Sequence, residues 1–314
     1  MALSINEANT ISSKYFDKTL VQQCYDKSPM WVKMKKSNKI KKKGGNSIQY
    51  AIRYQRLDMA EAIDWDDQVN FEAKETRTGA DQDWKVYRGK ALIALEERRK
   101  NTGKPQIVSV LKDKATEMQD DIYYKFATDL YTDNPNGLGL DSLDTIVDSA
   151  DTFAGIAVAD ASTWAAWEDA STTALALYGA GSLSYYCNQA TLGDNMPTFH
   201  VTTRNVKSKF ESIFEGQKWY SDDDLANAGF DNVKFKNAPV VGDFYCPASY
   251  WYGLDLNHFE FITHPDDDFS LTPWTDLFVA GYPGAMGRVI QWVGNLKCDL
   301  RRTSFKLSTI NYTL

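Results

Sequence analysis

From Ser47 onward the chain alternates: Ile48, Tyr50, Ile52 and Tyr54 fall on one side, with Gln49, Arg53 and Gln55 on the other. A two-residue period marks a strand with one buried face. The return strand is expected from Trp84 to Leu95, where Trp84 and Val86 alternate ahead of the apolar run Ala91 to Leu95. A first strand of about twelve residues would reach about 40 Å, and an isolated two-stranded hairpin is marginally stable in water. The hairpin needs cover, and the pattern allows that cover to come either from its own subunit or from a neighbouring copy.

The period then changes. Ile107, Leu111, Ala115, Met118, Ile122, Phe126 and Leu130 recur at spacings of four and three, behind a Pro105 placed where a first-turn proline is tolerated. Asp133, Asn134, Pro135 and Gly137 stop the helix near Thr132. A helix over 105–132 spans roughly 42 Å at the usual rise, well beyond the mean globular helix. Its aliphatic stripe is a packing face.

Before the hairpin, apolar residues are scattered (Ile11, Phe16, Leu20, Met30, Trp31), Pro29 interrupts them, and a lysine-rich run from Lys33 to Lys43 leads to Gly44 and Gly45. Phe16 and Leu20 fit one short helix, but residues 1–45 read mainly as an arm that drapes over something. Residues 150–180, rich in Ala, Ser, Thr and Asp around Trp164 and Trp167, read as a boundary between subdomains. Beyond it Phe199 and Val201 suggest a strand, Val206, Phe210, Ile213 and Phe214 one helical face, and Val233 and Phe235 another strand. Near the C-terminus Arg288 to Val293 and Leu296 to Arg302 flank Gly294 and Asn295, which fit a two-residue hairpin turn, and these strands are expected beside the long helix.

Length and composition, 314 residues with 43% hydrophobic, allow a large core in one large domain or two ordinary ones. A leader-like segment is not seen in the first 30 residues, and no apolar run of about 18 residues is present to span a bilayer, so a soluble protein without membrane contact is expected. Cys24, Cys187, Cys246 and Cys298 lie far apart without CxxC spacing, which favours reduced thiols in a cytosolic compartment over a disulfide framework or zinc site. The net charge of −7 hides a polarised distribution: residues 1–43 carry ten lysines against Glu7, Asp17 and Asp26, whereas nine acidic residues between Asp58 and Asp83 face only Lys74 and Arg77.

Candidate chemistry is sparse. His200, His258 and His264 have no metal-binding spacing. The triplets Asp222–Asp224 and Asp266–Asp268 lack the glycine and distal glutamate of a calcium loop. GxSxG and GxxxxGK are absent, and Gly137 and Gly139 follow a helix instead of a strand. No catalytic, cofactor-binding or metal-binding residue is assigned, and an enzyme is not expected. The lysine run suits unspecific phosphate contact. Its opposite charge to the hairpin tip offers a second use, in which the arm of one subunit lies against the hairpin of the next. The residues that such contacts between copies would use are Lys35, Lys36, Lys39, Lys41, Lys42 and Lys43 on the arm, Ile48, Tyr50, Ile52, Tyr54 and Trp84 on the strands, and Asp64, Trp65, Asp66 and Asp67 at the tip.

The order of these parts resembles the major capsid proteins of tailed bacteriophages. A basic arm leads to KKKGGNSIQY (41–50), and DWKVYRGKALIALEERRKNTGKP (83–105) is similar to the return of that family's extended loop into its spine helix. NGLGLDSLDTIVDSADTFAGI (136–156) resembles the segment leading into the rest of the peripheral domain. PTFHVTTRNVKSKFESIFEGQKWY (197–220) and FKNAPVVGDFYCPASYWYGLDLNHFEF (235–261) resemble the axial domain. The resemblance implies an α+β, HK97-like capsid fold: an arm over 1–45, an extended hairpin loop over 46–100, a peripheral domain from 101–165 and 286–314 with its spine at 105–132, and an axial domain over 166–285. It also implies hexamers and pentamers closing into an icosahedral virion shell around double-stranded DNA held by unspecific contacts, assembled in a host cytoplasm. A separate scaffolding protein and a portal are implied partners, and decoration proteins are further candidates. Two other readings stand beside it: the shell of an encapsulin-like nanocompartment, and a carbohydrate-active or carbohydrate-binding protein, motivated by the 13% aromatic content and the many carboxylates.

Overall fold

Pro29 opens the first helix, α1 (Pro29–Lys36), at the position where a missing N–H costs nothing. Met30, Trp31 and Met34 are buried, and Lys33, Lys35 and Lys36 gather in the last turn, where positive charge suits the helix dipole. The computed structural model describes residues 28–66, 68, 71–94, 96, 104–171, 173–213, 232–278, 281–282 and 284–312. The sequence readings at Ile11, Phe16, Leu20 and Phe214, and the side chains of Ile107, Leu111 and Ala115, fall outside these.

After α1 come β1 (Ile40–Lys42), β2 (Ile48–Arg53), β3 (Arg77–Gln82), β4 (Lys85–Ile93) and the long helix α2 (Lys104–Tyr131). A short α3 (Leu143–Ile146) is capped by Ser142, whose hydroxyl accepts from the Asp144 and Thr145 amides. The second half adds β5 (Trp167–Asp169), β6 (Thr173–Ala174), α4 (Leu183–Ala190), β7 (Phe199–Thr202), α5 (Arg204–Ile213), β8 (Asn232–Phe235), β9 (Ala238–Gly242) and β10 (Trp251–Leu254). It ends with β11 (Phe259–Thr263), β12 (Ser270–Leu271), β13 (Thr275–Asp276), β14 (Met286–Cys298), β15 (Phe305–Leu307) and β16 (Ile310–Asn311).

Two six-stranded sheets organise these elements. In the first, β14 is central: β4 pairs along one edge, β11, β12 and β13 share the other, and β1 adds parallel to β11. The second has the order β5-β15-β10-β7-β9-β8. The helix α2 packs over β4, where a Cβ at Gly89 would lie 2.7 Å from Ile122 Cδ1, so the glycine lets helix and strand approach closely. Met118, Ile122, Phe126 and Leu130 face this contact as the spacing predicts, and Phe126 meets Trp292 of β14 edge-on at 4.9 Å. Period-two alternation divides the second sheet between two cores. Val201, Val241 and Tyr252 join the core under α2, while Val240, Trp251 and Phe305 join a second core with Val206 and Phe210 of α5.

Four expectations need correction. The arm does not extend to residue 45: residues 28–42 belong to the body, because Trp31 stacks on Phe261 at 3.4 Å and lies 4.5 Å from Phe126. The return strand for β2 is β3, paired from Ile48 opposite Gln82 to Arg53 opposite Arg77, and not the 84–95 segment. That segment, as β4, pairs with β14 instead, since there Tyr87, Gly89, Ala91 and Ile93 bury a continuous face. The hairpin turn expected at Gly294–Asn295 is a continuous strand, because Asn295 uses its side chain inside the sheet: its amide donates to Asp83 O and Asp141 Oδ2, and its Oδ1 accepts from Asp141 N–H. Finally, β11, β12 and β13, expected in the axial unit, pair with β14, while β15, expected in the peripheral unit, joins the second sheet. Periodicity locates strands but carries no information on which sheet they enter.

Two buried cations tie the 144–151 segment to the chain that follows β14. Arg301, fully buried after β14, donates from Nε to Ile146 O (2.6 Å), from Nη1 to Asp151 O (3.1 Å) and from Nη2 to Thr145 O (3.0 Å) and Asp148 O (3.1 Å). Lys306 of β15 meets Asp144 (2.9 Å), Asp148 (3.3 Å) and Glu168 (3.1 Å). Burial disfavours the Lys306 ammonium, but Asp144 and Glu168 outweigh it and hold its pKa above the ordinary lysine value. Replacing Arg301 with Met leaves four carbonyls without their donor. Arg301→Met is expected to lower stability by on the order of 3 kcal/mol, read as a fall in the midpoint of urea unfolding.

His200 is fully buried in β7, and its Nδ1 accepts from the Trp251 indole at 3.3 Å. Burial, reinforced by Lys236, lowers its pKa to about 3 from an ordinary 6.5. The unfolded chain then takes up a proton at His200 that the folded chain refuses, so this contribution is complete above pH 6.5 and is lost as pH falls toward 3. In His200→Phe the slope of stability against pH within that window is expected to fall by up to one proton, about 1.4 kcal/mol per pH unit, measured by urea titration at successive pH values.

Candidate intersubunit surfaces

The hairpin has two parts with opposite character. Its base is committed to its own subunit. Ile48, Ile52, Ala80 and Gln82 are buried, and Gln82 Nε2 donates to Asp141 Oδ2 (2.7 Å) and Leu296 O (3.1 Å). Tyr50 donates to Cys298 O at 3.0 Å under the Lys297 ammonium, 4.8 Å from its ring centre, and burial raises its phenol pKa with help from nearby negative charge. The Trp84 indole donates to Gly45 O at 2.9 Å and its ring meets His264 edge-on. Tyr54 donates from its hydroxyl to Glu75 O at 3.2 Å, and its carbonyl accepts from the Thr163 hydroxyl.

The arm lysines are likewise engaged at home. Lys39 donates to Asn257 O (2.8 Å), Lys43 to Gln49 O (2.8 Å), Lys41 pairs with Glu260, and Lys42 with Asp268 at 3.0 Å. Within the subunit, the carboxylates that Lys41 and Lys42 meet lie on β11 and the loop after it, because β1 lies beside β11 in register. Lys35 and Lys36 are exposed in the last turn of α1.

Beyond Tyr54 the character reverses. Residues 55–76 carry no helix or strand among those described, yet Leu57, Ile63, Trp65 and Phe71 are exposed, Trp65 completely and Phe71 to 91%. Asp64 caps Trp65 by accepting its amide at 2.8 Å, and Asp66 follows; Asp67 lies outside the described residues. The exposed Lys74–Asp58 pair at 3.5 Å holds little energy. Single exposed apolar residues are ordinary, but four in one short acidic stretch make a candidate contact surface. Each large side chain among them would release about 1.5–3 kcal/mol on full burial.

A second surface, which sequence reading missed, lies on β4. Its outward residues are Val86, Arg88, Lys90 and Leu92, two basic side chains between two apolar ones, along a strand that pairs only with β14 among the described elements. Beside it a groove of about 510 Å³ is lined by Asp83, Trp84, Lys85, Val86, Arg88, Gly137 and Leu138. The tip is aromatic and acidic; the groove is apolar and basic. Alternation at 86–92 marks a strand, but cannot tell a solvated face from a docking face.

Among the described residues no cluster of three or more His, Cys, Asp or Glu is arranged to hold a metal ion. In the triplet 266–268, Asp268 pairs with Lys42, and Asp267 accepts from Gln291 and Ser270; the triplet 222–224 lies outside the described residues. Cys187, Cys246 and Cys298 are buried thiols whose pKa burial raises, and Cys24 lies outside the described residues. No described helix is long and apolar enough to cross a membrane.

No family model matches this chain, and no curated protein matches it by sequence. Solved structures do. The capsid asymmetric unit of cyanophage A-1(L) superposes with a TM-score of 0.68 at 16% identity, over 91% of this chain and 93% of that one. The capsid of an empty GTA particle gives a TM-score of 0.56 at 10% identity, over 88% and 96%. The holo-SrpI encapsulin complex from Synechococcus elongatus PCC 7942 gives 0.52 at 7% identity, over 92% and 90%. The chain has the HK97-like capsid fold.

The contrast between base and tip has a measurable consequence. Trp65→Ala with Phe71→Ala is expected to leave the stability of the separate subunit within about 0.5 kcal/mol of the parent, as for surface changes generally. Ile52→Ala is expected to cost about 2–5 kcal/mol by opening a cavity. Urea unfolding of the three proteins checks both.

Proposed function

We propose that this chain is the major capsid protein of a tailed phage, a structural subunit that builds hexamers and pentamers and closes them into an icosahedral head around double-stranded DNA. The observation that carries this reading is the exposed aromatic tip at Trp65 and Phe71, presented by a chain with a capsid fold that also offers a basic, apolar outer strand. Trp65, Asp64 and Asp66 are the contacts we assign to neighbouring copies, with Lys35 and Lys36 as further candidates on α1. Ile48, Tyr50, Ile52 and Trp84 serve instead to fix the hairpin base in its own subunit, so that the tip is held at a defined place. The first sheet with α2 is the proposed peripheral unit, and the second sheet with its own core is the proposed axial unit.

Association by such surfaces is distributed. A standard interface buries about 1,600 Å², and a subunit meeting several neighbours reaches a strong shell through many modest contacts. The DNA inside would be met by unspecific charge from a chain of net charge −7, so those contacts are few. A separate scaffolding protein, a portal and decoration proteins are partners in this reading, with assembly in a host cytoplasm. The likeness to an encapsulin supports a second reading, a cellular compartment shell built on the same fold. Both readings are shell readings.

Negative-stain microscopy of the expressed chain is expected to show closed particles, tubes or capsomer rings. Trp65→Ala with Phe71→Ala is expected to lower their yield severalfold, and Arg88→Glu with Lys90→Glu to do the same. A uniformly monomeric parent protein under assembly conditions would contradict the proposal.

A further inference from the structure

The chain that follows α2 contains the one Asn-Gly step in the sequence, Asn136–Gly137. Asn134, Pro135, Asn136 and Gly137 occupy the four positions of a β-turn: the Gly137 amide donates to Asn134 O at 2.8 Å, with proline second and glycine last, as a type I turn prefers. Side-chain bonds hold the turn at its start, where Asn134 Oδ1 accepts the Asn136 amide at 3.1 Å and Asn134 Nδ2 donates to Asp129 at 3.3 Å. Its far half is open. Residues 135–138 are exposed, the Asn136 side chain makes no hydrogen bond among the described residues, and Gly137 has a φ of +64° with no atom within 4 Å of where a Cβ would stand.

Asparagine is a labile residue, because its side-chain carbonyl carbon can be attacked by the backbone nitrogen that follows it. We propose that Asn136 is a site of spontaneous deamidation, through a cyclic imide formed with Gly137. The Gly137 nitrogen gives up its proton to hydroxide and bonds to Asn136 Cγ, and the Cγ–Nδ2 bond breaks with departure of ammonia. Water then opens the imide at one of its two carbonyls. Opening at Cγ leaves aspartate, whereas opening at the main-chain carbonyl leaves isoaspartate, with the chain running through the former side chain. Solvent supplies the only co-reactant.

Two features select this asparagine. A following residue with a Cβ crowds the attacking nitrogen, and glycine has none. The attack also needs the turn to open, since Asn134 O holds the Gly137 N–H, and an exposed turn opens at little cost. Asn134 itself precedes Pro135, which has no N–H to lose. Asn295 is buried, with its amide held by Asp83 and Asp141. The location gives the change a consequence. Lys85 donates to Gly137 O at 2.9 Å, and Gly137 and Leu138 line the groove beside β4. Deamidation adds a negative charge next to that lining and weakens the basic character of the groove. The inference stands on the turn and holds whether or not the chain builds a shell.

The test is peptide mapping by mass spectrometry of the full-length protein as it ages in mildly alkaline buffer. The peptide holding Asn136 is expected to accumulate both aspartate and isoaspartate forms, severalfold faster than the peptide holding Asn46, which is also exposed but precedes Ser47. An equal or slower rate at Asn136, or aspartate without isoaspartate, would overturn the proposal. Gly137→Ala is expected to slow the reaction severalfold, and an unchanged rate in that variant would count equally against it. Isoelectric focusing gives an independent reading that needs no digestion. The first acidic species to grow in the parent protein is expected to be missing from Asn136→Gln, and its appearance there at the parent rate would overturn the assignment.

Discussion

The structure depends on β14 being buried as one unbroken strand. Its thirteen residues carry β4 on one edge and three shorter strands on the other, and Ile290, Trp292, Leu296 and Cys298 are fully buried along it. A strand so placed requires cover on both faces and both edges. The helix α2 supplies one layer through Phe126 against Trp292, with Trp31 of α1 between Phe126 and Phe261. Asn295 interrupts the apolar run, and it is satisfied by Asp141 and Asp83, so the break falls in side-chain bonding while the strand continues.

From that constraint the division of the hairpin follows. The base is drawn into the subunit because Gln82 and Tyr50 reach β14 near its end, at Leu296 O and Cys298 O. The tip lies past the last of these anchors, and its aromatic residues remain in water. In the proposed shell, the hydrogen-bonded base and uncovered tip would present a contact whose position is set before any partner arrives. Preorganisation of this kind reduces the ordering cost of association.

Much of the fold was legible in the sequence, and the failures have a common cause. The stripe from Met118 to Leu130 located the long helix because a 3.6-residue period sustained over such a length suits no strand or loop. Alternation at Ile48–Ile52 and at Phe199–Val201 located strands, but strand pairing is a property of two segments, and β2 chose Arg77–Gln82, a stretch whose one apolar side chain is Ala80. Gly294 and Asn295 look like a turn because both residues favour one; the sequence does not reveal that Asp141 stands opposite to occupy the asparagine. Lys41 and Lys42 read as an arm seeking acidic partners, and within the subunit they meet such partners on β11 and its following loop. Trp65 was legible as a contact candidate, while the outer face of β4 needed the fold.

The central claim is that the hairpin tip is completed by another copy of the chain, and its most direct measurement is hydroxyl-radical footprinting of the protein before and after particles form. Trp65 and Phe71 are expected to become protected on assembly while Trp31 and Trp292 stay protected throughout. Particles in which Trp65 and Phe71 remain as readily oxidised as in the separate subunit would contradict it.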